Sequence, residues 1–233
     1  MMQAAAQNYG GHRILEAMRS APRYAEAIYR RVRSANAEDG PLLDFGAGDG
    51  VFTEYFLHDG IRVECVEPDA KNIDALCALG VKVTSDISLL PDTQFGFAYT
   101  INVLEHLRDV DYYLGQLHRV LRQNGLLFVF VPAFNLLWTS LDDEVGHVQR
   151  FTRRSLHRYL ERAGFKVEKS RYFDSAGFLA AFAVKILEAF GLFRYSPETV
   201  GFYDKAILPI SLAGDIFLSS LIGKNVIAIA RKI

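Results

Sequence analysis

From Gly40 to about Phe173, short apolar runs rich in β-formers alternate with helix-like segments, and few architectures accept that order. Parallel strands need a crossover of a dozen or more residues, so strand and helix must take turns, with the helices covering both faces of one sheet. The runs predict strands over 41–45, 61–66, 81–84, 96–102, 125–131 and 166–172, with helices over 50–58, 70–79, 109–123 and 153–163. "LRQNG" and "ERAGF" read as helix stops at Gly125 and Gly164, and Thr152 is placed to cap the helix that begins "RRSLHRYL".

The flanks add two features. Residues 12–35 read as two amphipathic helices parted near Pro22. After the core comes an apolar, helix-like block at 174–222, then "NVIAIARKI", which alternates like a strand and, with Lys232, suits a place near a sheet edge. The expected organisation is one domain over 1–233: an N-terminal helical cap (1–38), a Rossmann-like core (39–173 and 223–233), and a helical insertion (174–222) before the last strand. With 233 residues, half of them hydrophobic, the chain can bury one large core.

The formal charge is −1 and no Lys/Arg stripe is long enough to follow a phosphate backbone, so a nucleic-acid partner is not expected. "YRRVRSA" (29–35) reads as a solvated helix face. Cys65 and Cys77 form no metal-ligand set, and both are expected to be buried reduced thiols, in keeping with a cytoplasmic setting; no metal is expected. The N-terminus has no apolar signal region. The windows 176–193 and 206–222 are interrupted by Lys185 and Glu188 and by Pro209 and Asp215, so neither reads as a membrane span.

The first strand runs into "LLDFGAGDG", where glycines let the backbone turn sharply beside a ligand and the next helix presents free N–H groups. Such a turn also serves as a plain strand–helix junction, so its companions matter. The spacing is G-x-G-x-G at Gly46, Gly48 and Gly50, and Val51 occupies the position that would complete a dinucleotide fingerprint. Fewer converging amides, with Asp44 beside the turn to meet an ammonium group, favour S-adenosylmethionine over a nicotinamide dinucleotide. "VECVEPD" ends the second strand with Glu67 and Pro68, where a carboxylate can grip a ribose diol. "TSDISLLP" sets Asp86 and Ile87 against an adenine, and "AYTINVLEHL" brings Asn102, Val103 and Leu104 to the same edge.

Together these segments, with "LRQNGLLFVFVPA", resemble the class I S-adenosylmethionine-dependent methyltransferases of the type 11 small-molecule group, over residues 39–173. The resemblance implies a seven-stranded sheet, mostly parallel, whose last strand is antiparallel. It implies that Asp44, Phe45, Gly46, Ala47 and Gly48 cradle the methionine part, that Glu67 binds the ribose hydroxyls, and that Asp86 and Ile87 flank adenine. It further implies methyl transfer with S-adenosylhomocysteine as product. A noncatalytic S-adenosylmethionine-binding partner subunit is the alternative.

Methyl transfer from a sulfonium is an in-line displacement, so a base is needed only where the acceptor must lose a proton. The loop "PAFNLLWTSLDDEVGHVQRF" (132–151) gathers Asp142, Asp143, His147 and Arg150 and is expected to cover the acceptor. His147 is the candidate base or positioning donor; equally, His147 and Arg150 can tie the loop down through its Asp residues. Tyr24, His106, Asp143 and Arg150 are candidate acceptor contacts, and Tyr9 a candidate cover for the cofactor. The subgroup pattern Gly-His-x-Arg-Arg-Tyr reads "GHVQRF" here, so Gln149 and Phe151 depart from it. The expected acceptor is a small, hydrophobic or lipid-linked molecule methylated on O or C. Phe178, Phe182, Ile186 and Phe190 recur at helical spacing, as a core stripe would. Block 174–222 reads as a lid over the acceptor, a homodimer face, or a peripheral membrane contact, with the lid favoured.

Overall fold

The computed structural model describes residues 12–36, 40–193 and 197–233; Tyr9 lies outside them. Two helices, α1 (His12–Arg19) and α2 (Pro22–Ala35), precede strand β1 (Leu42–Phe45). There follow α3 (Val51–His58), β2 (Val63–Val66), α4 (Ala70–Ala78), β3 (Lys82–Thr84), β4 (Phe95–Ile101), α5 (Val110–Val120) and β5 (Leu121–Pro132). Then come α6 (Ser140–Glu144), α7 (Arg153–Arg162), β6 (Phe165–Phe173), α8 (Ser175–Ala189), α9 (Pro197–Phe202), α10 (Leu208–Leu218) and β7 (Asn225–Lys232).

The strands form one seven-stranded sheet in the order β3-β2-β1-β4-β5-β7-β6, with β7 antiparallel to both neighbours. Every residue of β1 and β4 is buried, as in a parallel sheet covered on both faces. Consecutive residues feed opposite cores. Leu43, Phe45, Leu127 and Val129 pack under α5 and α7 against Leu114, Leu117 and Leu156. Leu42, Phe128 and Phe130 pack with Tyr24, Ile28 and Val32 of α2 and Phe56 of α3. The strand order reverses between β1 and β4, so their carboxyl ends part and leave a crevice there.

Three expectations are corrected. The helix expected to run to Gln123 ends at Val120, because Leu121 turns extended and pairs with Phe95; the intervening bulge places Asn124 at φ 65. Cys65 is buried but Cys77 is exposed on α4. The stripe on α8 does not face a core: Phe182, Ile186 and Phe190 are exposed, and only Phe178 leans inward, onto Phe134.

The insertion is held by buried polar groups. Asp174, at φ 70 just before α8, accepts hydrogen bonds from Gly177 N, Ser211 Oγ and the Tyr203 hydroxyl, and Lys224 Nζ lies 3.3 Å away. Asp215 on α10 accepts from the backbone of Asp174 and Ser175, each at 2.8 Å. Truncating Asp174 strands several buried donors. Asp174→Ala is expected to lower unfolding free energy by about 2–4 kcal/mol, with Asp174→Asn milder, as read from urea denaturation.

Candidate active site

The turn after β1 runs along the crevice floor. Gly46 (φ 79), Gly48 (φ 57) and Gly50 (φ 90) are left-handed, which L side chains rarely adopt. Gly46, Ala47 and Gly48 line a pocket with Leu15 and Met18 of α1, Val51 and Phe52 of α3, Ile101 at the end of β4, and Asn102 and His106 beyond it. Asn102 takes φ 54, tolerated by its short polar side chain, and its N–H closes onto Phe130 O at 2.9 Å. Phe45 and Leu104 are core residues, and Val103 is the half-buried neighbour that closes over Gly46.

The acidic residues around this turn sit in distinct environments. Asp44 is buried beneath it, and its Oδ2 accepts from Thr53 Oγ1 (2.9 Å) and Tyr99 Oη (2.7 Å). Burial outweighs these hydrogen bonds and pushes its carboxyl up to about 7. Glu67 accepts from Gly48 N (2.8 Å), Asp69 N (3.0 Å) and Asn72 Nδ2 (3.4 Å), so it braces the turn. Its carboxyl is also raised by burial, and a carboxylate retains lone pairs for a further donor. Pro68 follows it, half-buried. Asp86 accepts from Ser88 N at 2.8 Å and opens the short 3-10 turn that buries Ile87.

Beyond Asn102, a 3-10 turn at Leu104–His106 sends neighbouring side chains apart. His106 reaches the pocket wall; Glu105 turns away from solvent and is fully buried. Neither Glu105 carboxylate oxygen has a hydrogen-bond partner, and burial raises its carboxyl to about 8. Burial, helped by the adjacent His147, lowers His106 to about 4, so its ring is neutral at neutral pH.

His147 packs edge-on against His106, with ring centroids 4.8 Å apart. Its Nδ1 meets Asp142 Oδ1 at 2.6 Å, while its buried Nε2 has no hydrogen-bond partner and lies 3.8 Å from Glu105 Oε1. Asp142 is the hub of the loop. It accepts from Arg150 Nε (2.8 Å) and Nη2 (3.0 Å) and from Thr139 N (2.8 Å). Burial alone would raise its carboxyl, but the His147 and Arg150 hydrogen bonds win and hold it at about 2. Arg150 also ties to Ala133 O, so it anchors the loop. The donor atoms of Glu105, His106 and His147 lie within 4.8 Å of one another, a spacing that also suits a shared cation.

The remaining candidates are dispersed. Tyr24 is buried between Phe173 and Tyr203 with its hydroxyl on Asn225 Oδ1, and Asp143 is exposed, accepting from Trp138 Nε1. The sequence pattern marks Asp143 as the acceptor contact where the structure makes Asp142 the hub, and it does not mark the burial of Glu105. For Asp142 a signal exists: Thr139-x-x-Asp142 is a capping box, which the structure forms. For Glu105 none does, since a carboxylate is rarely expected to be fully buried.

A sheet of this order with a glycine turn and buried acids at its switch point is the architecture of nucleoside-cofactor enzymes. Residues 15–170 match the methyltransferase domain family, and the chain belongs to it. A ubiquinone biosynthesis O-methyltransferase from Bradyrhizobium sp. (strain ORS 278) is 29% identical over 142 residues, 56% of this chain and 55% of that protein. The chain thus spans about half the length of the curated relatives it matches. Among solved structures, a SAM-dependent methyltransferase from Archaeoglobus fulgidus superposes with TM-score 0.61 at 21% identity, over 89% of this chain and 94% of that one. Phosphoethanolamine N-methyltransferase 2 of Haemonchus contortus, solved with phosphomonomethylethanolamine and S-adenosylhomocysteine, gives TM-score 0.59 at 14% identity, over 90% and 52%. The chain thus carries a methyltransferase domain, built on the fold of the class I S-adenosylmethionine-dependent methyltransferases.

The raised acids make two pH dependences measurable. With Asp44 near 7, its ionised fraction grows as pH rises from about 6 to about 8, and a carboxylate draws a nearby cationic group more strongly than a neutral carboxyl does. The Kd for S-adenosylmethionine is therefore expected to fall across that range in calorimetric titrations. Asp44→Asn should bind at least about tenfold more weakly at the upper end and show a flat profile. For Glu105, the protonated form is favoured by folding: its stabilisation is fully present below the ordinary carboxyl value and is lost as pH rises through about 8. Glu105→Gln should gain Tm relative to the parent by at least about 3 °C between pH of about 5 and 8.5.

Proposed function

We propose that the enzyme methylates an oxygen of a small, hydrophobic, hydroxyl-bearing acceptor, with the Asp142–His147 pair taking up the proton. The observation that carries this reading is a buried His147 Nε2 with no partner, behind the pocket wall made by His106. Buried polar atoms without partners call for an explanation, and an acceptor hydroxyl supplies one. Asp142 sets the tautomer by accepting from Nδ1, which leaves Nε2 as the proton acceptor, and its charge offsets the imidazolium that forms. The curated relatives' names favour oxygen over carbon.

S-adenosylmethionine, held by the glycine turn with Asp44 and Glu67, would supply the methyl group by in-line displacement, its C–S bond breaking as the acceptor's O–C bond forms and the electron pair staying on sulfur as a thioether. The hydroxyl proton leaves past His106, at the pocket wall, to His147 Nε2 behind it and later to solvent. Neutral His106 stands at the wall where the acceptor oxygen must lie, and it can orient that oxygen without adding positive charge beside the sulfonium.

The test is turnover with a panel of hydrophobic phenols and catechols, read as S-adenosylhomocysteine release and by the methylated atom. His147→Ala is expected to lower kcat by about 10²–10⁴-fold while the Kd for S-adenosylmethionine stays within about twofold. Full turnover in that variant, or product carrying the methyl on carbon, overturns the reading. So does activity that a chelator abolishes and a divalent metal restores, which would make the Glu105–His106–His147 cluster a cation site instead.

A further inference from the structure

We propose that the outer face of the α8–α10 pair is a docking surface for an anionic phospholipid bilayer, and this does not depend on which acceptor is methylated. The two helices pack on each other with their polarity inverted. Their inward side holds Asp174, Ser175, Gly177, Ser211 and Asp215, all buried. Their outward side holds Leu179 (62% exposed) and Phe190 (74%) on or just after α8, and Ile210 (65%), Ile216 (76%) and Phe217 (80%) on α10. Leu179, Phe182, Ile186 and Phe190 recur at three- and four-residue steps, and so do Ile210, Ala213 and Phe217, so each helix presents one continuous stripe. Apolar faces this large on a folded chain mark a contact surface.

The charged side chains of these helices are all turned off the stripes. Lys185 Nζ donates to Leu136 O (2.7 Å), Glu188 accepts from Ser140 N (3.2 Å), and Asp215 is buried against Asp174 N and Ser175 N. Cations sit at both ends of α10. Arg153 Nη1 reaches Ser220 O at 2.9 Å, and before the helix are the exposed Lys205 and Arg23, whose Nη1 is 3.5 Å from Lys205 O. Among the described residues of the insertion one exposed carboxylate, Glu198, lies a turn before Phe202. An apolar stripe rimmed by Lys and Arg matches hydrocarbon below and phosphate above.

A second copy of the chain fits less well. The stripes are Leu, Ile, Phe and Ala, without the hydrogen-bonding side chains that a protein interface intersperses among its apolar contacts. No helix among the described residues is long and apolar enough to cross a membrane, so the contact is interfacial. The insertion joins the ends of β6 and β7 where Phe173 pairs with Asn225 and Asn225 with Pro132, the carboxyl edge of β5. That is the edge on which the glycine turn opens, so docking would turn the pocket side of the sheet toward the bilayer.

The experiment is vesicle flotation of the full chain with phosphatidylcholine, alone and mixed with phosphatidylglycerol. The parent is expected to float with the mixed vesicles, less so as salt rises. Ile216→Asp combined with Phe217→Asp should cut partitioning at least about tenfold, and Lys205→Glu should reduce it selectively for anionic vesicles. Both sites are exposed, so Tm and S-adenosylmethionine binding should be unchanged and report intact folding. Equal flotation of parent and double variant overturns the proposal, as does failure of the parent to float with either vesicle. A parent dimer in light scattering that the double variant dissociates, without vesicle binding, assigns the face to a second copy and equally overturns it.

Discussion

At Gly46 a β-carbon would sit 2.3 Å from Val103 Cγ2, and at Gly48 a β-carbon would sit 2.6 Å from Leu15 Cδ2. The ends of β1 and β4 and the N-terminal helix can approach so closely only because the turn between β1 and α3 carries no side chains there. That approach narrows the crevice at the switch point until backbone amides, Asn102 and His106 face one pocket. Glu67 then locks the turn through Gly48 N, linking β2 to the same geometry. Each later feature of the site is measured from this junction.

The site is also unusual in its stock of desolvated acids. Asp44, Glu67 and Glu105 are all buried with raised carboxyls, whereas Asp142 is held low by a histidine and a bidentate arginine. Burying a carboxyl without a counter-charge favours its neutral form, and the protein tolerates this where a charged or protic ligand can change the balance. Asp44 lies beneath the turn that an ammonium-bearing cofactor would approach. Glu105 and His147 lie behind His106, where buried polar atoms of both stand without hydrogen-bond partners. Arg150 is kept out of this exchange because Asp142 and Ala133 consume its donors.

The alternation of strands and helices and the glycine turn were legible in the sequence because they rest on local rules: runs of β-formers, helix stops, and residues that alone tolerate a left-handed turn. Gly46, Ala47, Gly48, Asn102 and His106 come together on one pocket because the sheet sets the carboxyl ends of β1 and β4 side by side. What was not legible depends on tertiary burial. Leu121 leaves the helix early because pairing with Phe95 overrides its helical propensity. Asp142 and Asp143 are adjacent and alike in sequence, yet one becomes the buried hub and the other faces water. Glu105 has no local mark at all, since its burial follows from the 3-10 turn and from Val148 N closing onto its carbonyl.

The insertion shows the same limit from the other side. An apolar stripe at helical spacing normally points inward because burial is the main favourable term in folding. On α8 and α10 that expectation fails because the inward direction is already committed to a polar lock. Asp174 and Asp215 accept from three backbone N–H groups and two hydroxyls at the base of α8, and Lys224 places its ammonium over the rings of Tyr24 and Tyr203. A lock of charges and hydroxyls has demanding geometry, so it fixes the rotation of both helices about their axes. With that rotation fixed, the stripes have no freedom to turn inward, and their outward display is a consequence of the same residues that hold the insertion to the sheet.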